Sequence, residues 1–164
     1  MRKPSNARTG IPTGGNAGED ENSRRSNVLL RAIQNNNPLC AFARRALKTL
    51  HRNHRQLCLT PQNVREFWNV CTRPTDHNGL GISVPGTERH AHLLERYFAI
   101  LPDSSLTYST WRQLVAAHRV LGVKVHDTWL VAAMKAHGVN QILTFNTRDF
   151  ARYDGIEAVD PQAL

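Results

Sequence analysis

The sequence predicts one α/β domain in which a short parallel sheet is covered by helices on both faces. Three observations carry that expectation. Short apolar runs alternate with longer segments whose apolar residues recur every three or four positions. A chain of 164 residues with 40% apolar and 21% charged side chains suffices for one buried core. No internal repeat is visible, and strands alternating with helices imply βαβ units and a parallel sheet.

The elements follow in chain order. Residues 1–22 combine Pro4, Gly10, Pro12, Gly14, Gly15 and Gly18 with Ser, Asn and Thr and hold one large aliphatic residue, Ile11. That composition predicts a disordered tail, with the folded domain over 23–164. Val28, Leu29, Leu30 and Ile33 open the apolar pattern. From Pro38 an amphipathic helix carries Leu39, Phe42, Ala46, Leu47 and Leu50 on one face. Gln56-Leu57-Cys58-Leu59 reads as a buried strand, and Thr60-Pro61 supplies the N-cap and first turn of the next helix. That helix sets Val64, Phe67, Trp68 and Cys71 on one stripe and Gln62, Glu66, Asn69 and Arg73 opposite it.

Residues 74–86 predict a loop, followed by a helix with Leu93, Leu94, Tyr97 and Phe98 toward the core. Ile100-Leu101-Pro102 is a candidate edge strand. Leu106, Trp111, Leu114, Val115 and Val120 mark a helix ending near Gly122, and Asp127 to His137 forms another, stopped by Gly138. Gln141 to Phe145 and Ile156 to Val159 complete the strands.

No apolar stretch approaches the roughly 18 residues that span a bilayer, and Met1-Arg2-Lys3-Pro4 opens no signal-peptide run. A cytoplasmic protein without a membrane partner is expected. Cys40, Cys58 and Cys71 show no Cys-x-x-Cys spacing and read as small buried hydrophobes. The net charge of +8 is concentrated: between Glu21 and Glu66 there is no acidic residue, while Arg24, Arg25, Arg31, Arg44, Arg45, Lys48, Arg52, Arg55 and Arg65 are all cationic. Such a block favours a polyanion over a membrane, because few large apolar residues share a face free to insert. A solvated helix face is the simpler alternative. Arg31, Arg44, Arg45, Lys48, Arg52, Arg55 and Arg65 are the candidate nucleic-acid contacts.

In an open parallel sheet the site lies at the carboxyl ends of the strands. Glu66, Asp127 and Asp149 follow that geometry. Gathered together, their carboxylates suit a hard divalent cation such as Mg²⁺. Each also has a plainer use: Glu66 opposite its apolar stripe can face solvent, Asp127 can complement a helix dipole, and Asp149 near Asn146 can stabilise a turn.

Three segments contain these acids: Thr60-Pro61-Gln62-Asn63-Val64-Arg65-Glu66-Phe67-Trp68, Val125-His126-Asp127-Thr128-Trp129-Leu130, and Ile142-Leu143-Thr144-Phe145-Asn146-Thr147-Arg148-Asp149. In this order they resemble three successive signatures of the PIN domain, and the resemblance, over roughly 26–162, is closest to its VapC branch. It implies a Rossmann-like α/β/α sandwich and an endoribonuclease toxin dependent on Mg²⁺ or Mn²⁺. It further implies a cognate VapB-like antitoxin and a homodimer as partners besides RNA. By the same resemblance Glu66, Asp127, Asn146 and Asp149 are the catalytic group, with Asp127 and Glu66 as metal ligands; which of Asn146 and Asp149 faces the metal stays open.

The family normally opens with an apolar strand ending in Asp-Thr-Asn, whereas this chain has Glu21-Asn22-Ser23-Arg24-Arg25-Ser26-Asn27, with Arg25 at the position of the first aspartate. A first strand that is missing or degenerate is therefore expected, because a central parallel strand needs an apolar run. The nuclease is expected to be impaired; the alternative is an inactive PIN remnant that binds RNA or an antitoxin.

Overall fold

The computed structural model describes residues 27–164. The tail expected over 1–22, the domain start at 23 and the position of Arg25 lie outside the described residues.

Helix α1, Val28–Ile33, starts where the extended Asn27 turns into helix and its side-chain oxygen accepts the amide protons of Leu29 and Leu30. Helix α2, Cys40–Arg52, turns Cys40, Ala43 and Ala46 inward. Strand β1, Cys58–Leu59, leads into α3, Pro61–Thr72, which opens with a reciprocal capping box between Thr60 and Asn63 and with Pro61 in its first turn.

Helix α4, Val84–Tyr97, begins inside the stretch expected to be a loop, because Ser83 caps it and Pro85 fits its first turn. It buries Gly86, Thr87 and Ala91. Leu93 and Tyr97, expected on the core stripe, are instead 48% and 55% exposed, while Leu94 and Phe98 pack inward. Strand β2, Ala99–Ile100, precedes α5, Ser105–Ala117, whose Leu106 is exposed. Helix α6, Lys124–Ala136, starts one turn earlier than expected. Strands β3, Gln141–Leu143, and β4, Glu157–Val159, follow.

All pairings are parallel: Cys58 lies opposite Ala99 and Leu59 opposite Ile100, while Gln141, Ile142 and Leu143 lie opposite Glu157, Ala158 and Val159. The α/β class with short parallel strands holds, but the single expected sheet is divided. Among the described residues there are two separate two-stranded sheets. The core divides with them. Leu29, Leu30, Leu59, Phe67, Val70 and Cys71 form one apolar cluster under β1, and Val131, Phe150 and Tyr153 form another with Ile142 and Ala158 of β3 and β4.

All three cysteines are free; Cys40 and Cys71 are buried and Cys58 half-buried. Burial pushes the Cys71 thiol up to about 11, so it remains neutral and packs as a small hydrophobe. Among the described residues no helix is long and apolar enough to cross a membrane.

Candidate active site

The three acids, drawn from α3, α6 and the 3₁₀ turn Thr147–Asp149 after β3, line one cavity of about 690 Å³ at the carboxyl ends of β1 and β3. Thr60 and Thr144, which end those strands, share its wall. Glu66 is held by α3 itself: the Gln62 amide, one turn earlier, donates to Glu66 Oε1 at 2.7 Å and to the His126 carbonyl at 3.3 Å. That amide fastens α3 to the first turn of α6. Asp127 sits in that first turn, where the helix N-terminus favours a carboxylate. Asp149 accepts a short hydrogen bond from the Asn146 amide, and the Asn146 backbone N–H is fixed by Thr144 Oγ1 at 3.1 Å. Asn146 therefore reaches the cavity through Asp149 and does not line it.

A cation of the chain itself occupies the middle. Lys124 Nζ lies 2.6 Å from Asp149 Oδ2 and 3.5 Å from Asp127 Oδ2. Burial opposes the ammonium charge, but hydrogen bonding to Asp149 and the charges of Asp127 and Asp149 outweigh it and raise the Lys124 pKa. The Asp127 carboxyl is pushed up, chiefly by burial; Lys124 opposes the shift, while Asp149 and Glu66 add to it. The cavity thus holds more negative charge than its lysine compensates.

That donor chemistry suits a hard divalent ion, since three carboxylates offer oxygen. Among the described residues, however, no three acidic, His or Cys side chains stand close enough together to hold one. The residues fit the ion in kind, with Lys124 competing for two of the same carboxylates. Arg25, which the resemblance sets at the first aspartate position, is outside the described residues.

A second cavity of about 470 Å³ adjoins the first and shares Gln62, Glu66 and His126 with it. Arg65, Trp111 and Trp129 form its other wall. Both indoles are locked: Trp111 Nε1 donates to the Val125 carbonyl and Trp129 Nε1 to Asp103 Oδ1, each at 3.1 Å, and the rings meet edge to face 5.7 Å apart.

The cationic candidates are not equivalent. Arg44 donates to Ala32 O and Asn35 Oδ1, both at 2.7 Å, closing α2 onto the end of α1. Arg45 holds the C-terminus through Leu164 O at 2.7 Å and Gln162 O at 3.4 Å. Arg31 bonds Gln34, and Arg55 reaches Gln141 Oε1 at 2.5 Å. These four serve the fold, whatever else they contact. Lys48, Arg52 and Arg65 are exposed, and of the seven only Arg55 and Arg65 line either cavity.

Lys124 was not among the sequence candidates. Its signal is the i, i+3 spacing to Asp127, hidden by starting the helix at Asp127 instead of after Gly122, whose positive φ turns the chain into α6. Gln62 shared Glu66's face in the helical pattern, but its bond to the His126 carbonyl is tertiary and leaves no local trace.

A parallel α/β fold with acids converging beyond its strand ends is the general class defined here. The sequence profile of the PIN domain matches residues 26–156, well over half of the chain, and the chain belongs to the PIN domain family. Five chains of solved structures match the fold. One, from the crystal structure of DNA-bound VapBC from Salmonella typhimurium, aligns with a TM-score of 0.56 at 18% identity, over 82% of this chain and 93% of that one. At that identity the likeness is one of fold. Comparison with curated proteins finds no match.

Proposed function

We propose that this chain is a VapC-like, metal-dependent endoribonuclease of a toxin–antitoxin pair, acting in the cytoplasm with lowered activity. One observation carries it: Glu66, Asp127 and Asp149, contributed by three separate elements, line one cavity, where burial above all pushes the Asp127 carboxyl up, with Asp149 and Glu66 adding to the rise. A buried carboxyl with a raised pKa, gathered with two further acids in a cleft, supports a functional site. Membership of the PIN family adds weight, since such domains are generally dependent on divalent metal.

Drawn closer together than they stand in the free chain, Asp127, Glu66 and Asp149 would hold Mg²⁺ or Mn²⁺, which when bound supplies polarisation of the scissile phosphate and a more acidic water. The chain's own residues do the rest. Gln62 orients Glu66, Asn146 orients Asp149, and Lys124 is placed to pair with a phosphate oxygen once the carboxylates are otherwise engaged. Exposed Lys48, Arg52 and Arg65 supply phosphate contacts that strengthen as salt falls, with Arg31, Arg44, Arg45 and Arg55 adding field. With Arg25 at the family's first aspartate position, fewer carboxylates offset the cost of dehydrating the ion.

A second reading, an inactive PIN remnant that binds RNA or a VapB-like antitoxin, is favoured by the Lys124 bridge between Asp127 and Asp149. The test is cleavage of structured RNA by the full chain in Mg²⁺ or Mn²⁺ beside Asp127→Asn, with binding measured at two salt concentrations. Metal-dependent cleavage lost in Asp127→Asn supports the nuclease. Salt-sensitive binding without cleavage supports the remnant, and absence of both overturns the nuclease and the RNA-binding remnant. An antitoxin that co-purifies, and the mass of the free protein, test the partner and the homodimer.

A further inference from the structure

The larger cavity has an acidic end and an apolar body, and its body has the shape of one missing strand. Its two long walls are strand edges. Leu57 and Leu59 direct their carbonyls to Ala99 and Leu101, so the N–H and C=O of the intervening Cys58 point away from β2. On the other side Asn140 O and Thr144 N bond β4, leaving the backbone groups of Gln141 and Leu143 to point away from it. Residues 57–60 and 140–144 line the cavity from both sides. The walls run in the same direction. The Arg55–Gln141 bond links their amino ends, and Thr60 and Thr144 share the acidic end. Two long side chains, not backbone groups, make that link.

The occupant's chemistry follows. Leu47 and Leu50 of α2 and Leu130 and Met134 of α6 supply apolar wall. A strand buried among such side chains in a parallel sheet needs an aliphatic run. The chain's own residues before Asn27, from Glu19 to Ser26, would approach at the correct end, because Asn27 lines the cavity. They contain no apolar residue, and burying Asp20, Glu21, Arg24 and Arg25 there costs several kcal/mol per ion. Among its described residues a second copy offers no spare strand of that kind, since its aliphatic runs at 57–59, 99–101 and 142–143 are already in or beside strands and the exposed Leu121 and Val123 are separated by Gly122 at a positive-φ turn.

We propose that the slot between β1 and β3 is a docking site for an extended aliphatic strand of another polypeptide. The strand runs parallel to both walls and joins the two half-sheets into one. Five residues, about 17 Å long, match the walls. Backbone hydrogen bonds to Cys58, Gln141 and Leu143 give affinity, and aliphatic side chains give selection. This does not depend on nuclease activity.

The probe is an acetylated peptide with two amino-terminal lysines and five valine, isoleucine and leucine residues, set beside the same peptide N-methylated at alternate amides. Hydrogen exchange of the full chain is followed by mass spectrometry. The expected result is saturable protection of about tenfold or more at 57–60 and 140–144 with the first peptide, and none with the second. A variant with residues 19–25 replaced by the aliphatic run should be protected there without peptide and take up none. Equal effects of the two peptides would overturn the proposal. So would protection of 19–26 in the free chain, which would make that segment the occupant, or wall protection that rises with protein concentration alone, which would make it a second copy.

Discussion

Replacing Lys124 by Met tests whether the lysine stands in for a cation in the acidic cavity. The side chain keeps its length and loses its charge. At 2.6 and 3.5 Å the two ion pairs carry Coulomb energies of about 6 and 5 kcal/mol at an effective dielectric of about 20. The three side chains are 19–33% exposed, so screening and desolvation reduce the net loss to about 1–2 kcal/mol. For a chain of this size that lowers Tm by roughly 3–6 °C.

The pH dependence fixes the cause. Asp127 already has a raised pKa in the folded state, and removing Lys124 removes the charge that opposes that rise. A carboxyl raised on folding costs nothing below its unfolded value of about 3.9 and costs most above its folded value. The part of the Lys124→Met deficit that Asp127 carries should therefore be largest near neutral pH and shrink as pH falls toward about 3.5. Mg²⁺ should recover more stability in the variant than in the parent, because the competing ammonium is gone. Calorimetric melts at two pH values, with and without Mg²⁺, decide the matter. A pH-independent deficit, with equal Mg²⁺ response in both proteins, would refute the electrostatic account.

Asp127→Asn should leave the protein at least as stable at pH 7 as the parent while abolishing any cleavage, since it removes a charge that burial disfavours. A clear drop in Tm would show that its pairing with Lys124 outweighs burial. Thr128 and Tyr153 give a second contrast. Thr128 Oγ1 donates to the Lys124 carbonyl at 2.9 Å, so in their 2.7 Å bond the Tyr153 hydroxyl is the donor. Tyr153→Phe should cost about 1 kcal/mol, whereas Thr128→Val strands a buried hydroxyl and should cost about 1–3 kcal/mol in urea melts.

Legibility in the sequence followed how local each signal was. Thr60-Pro61 cap α3 locally, so that start was read directly; Ser104 and Thr107 cap α5 in the same local way, a signal that apolar spacing alone passed over. The start of α6 was misread because Val123 caps it with no side-chain hydrogen bond. Leu93 and Tyr97 misled because α4 turns its small residues Gly86, Thr87 and Ala91 inward, which apolar spacing does not report. The segments bearing Glu66, Asp127 and Asp149 were visible as three motifs. Their common cavity, the Lys124 bridge and the His126 carbonyl tied to Gln62 are tertiary facts. The division of the sheet was half legible, since the polar segment before Asn27 announced a weak strand, but two independent cores could not be inferred from it.

The paired indoles at the rim also equip the molecule to report on itself. Trp111 and Trp129 lie close enough for their electronic transitions to couple, and their hydrogen bonds fix the angle between them. Such a couple is expected to give a near-ultraviolet circular dichroism band that disappears if α5 slides against α6. Because Glu66 borders the same small cavity, events among the carboxylates are placed to shade the indole emission. Occupancy of the acidic cleft can therefore be followed optically in the unlabelled chain, without a dye and without turnover.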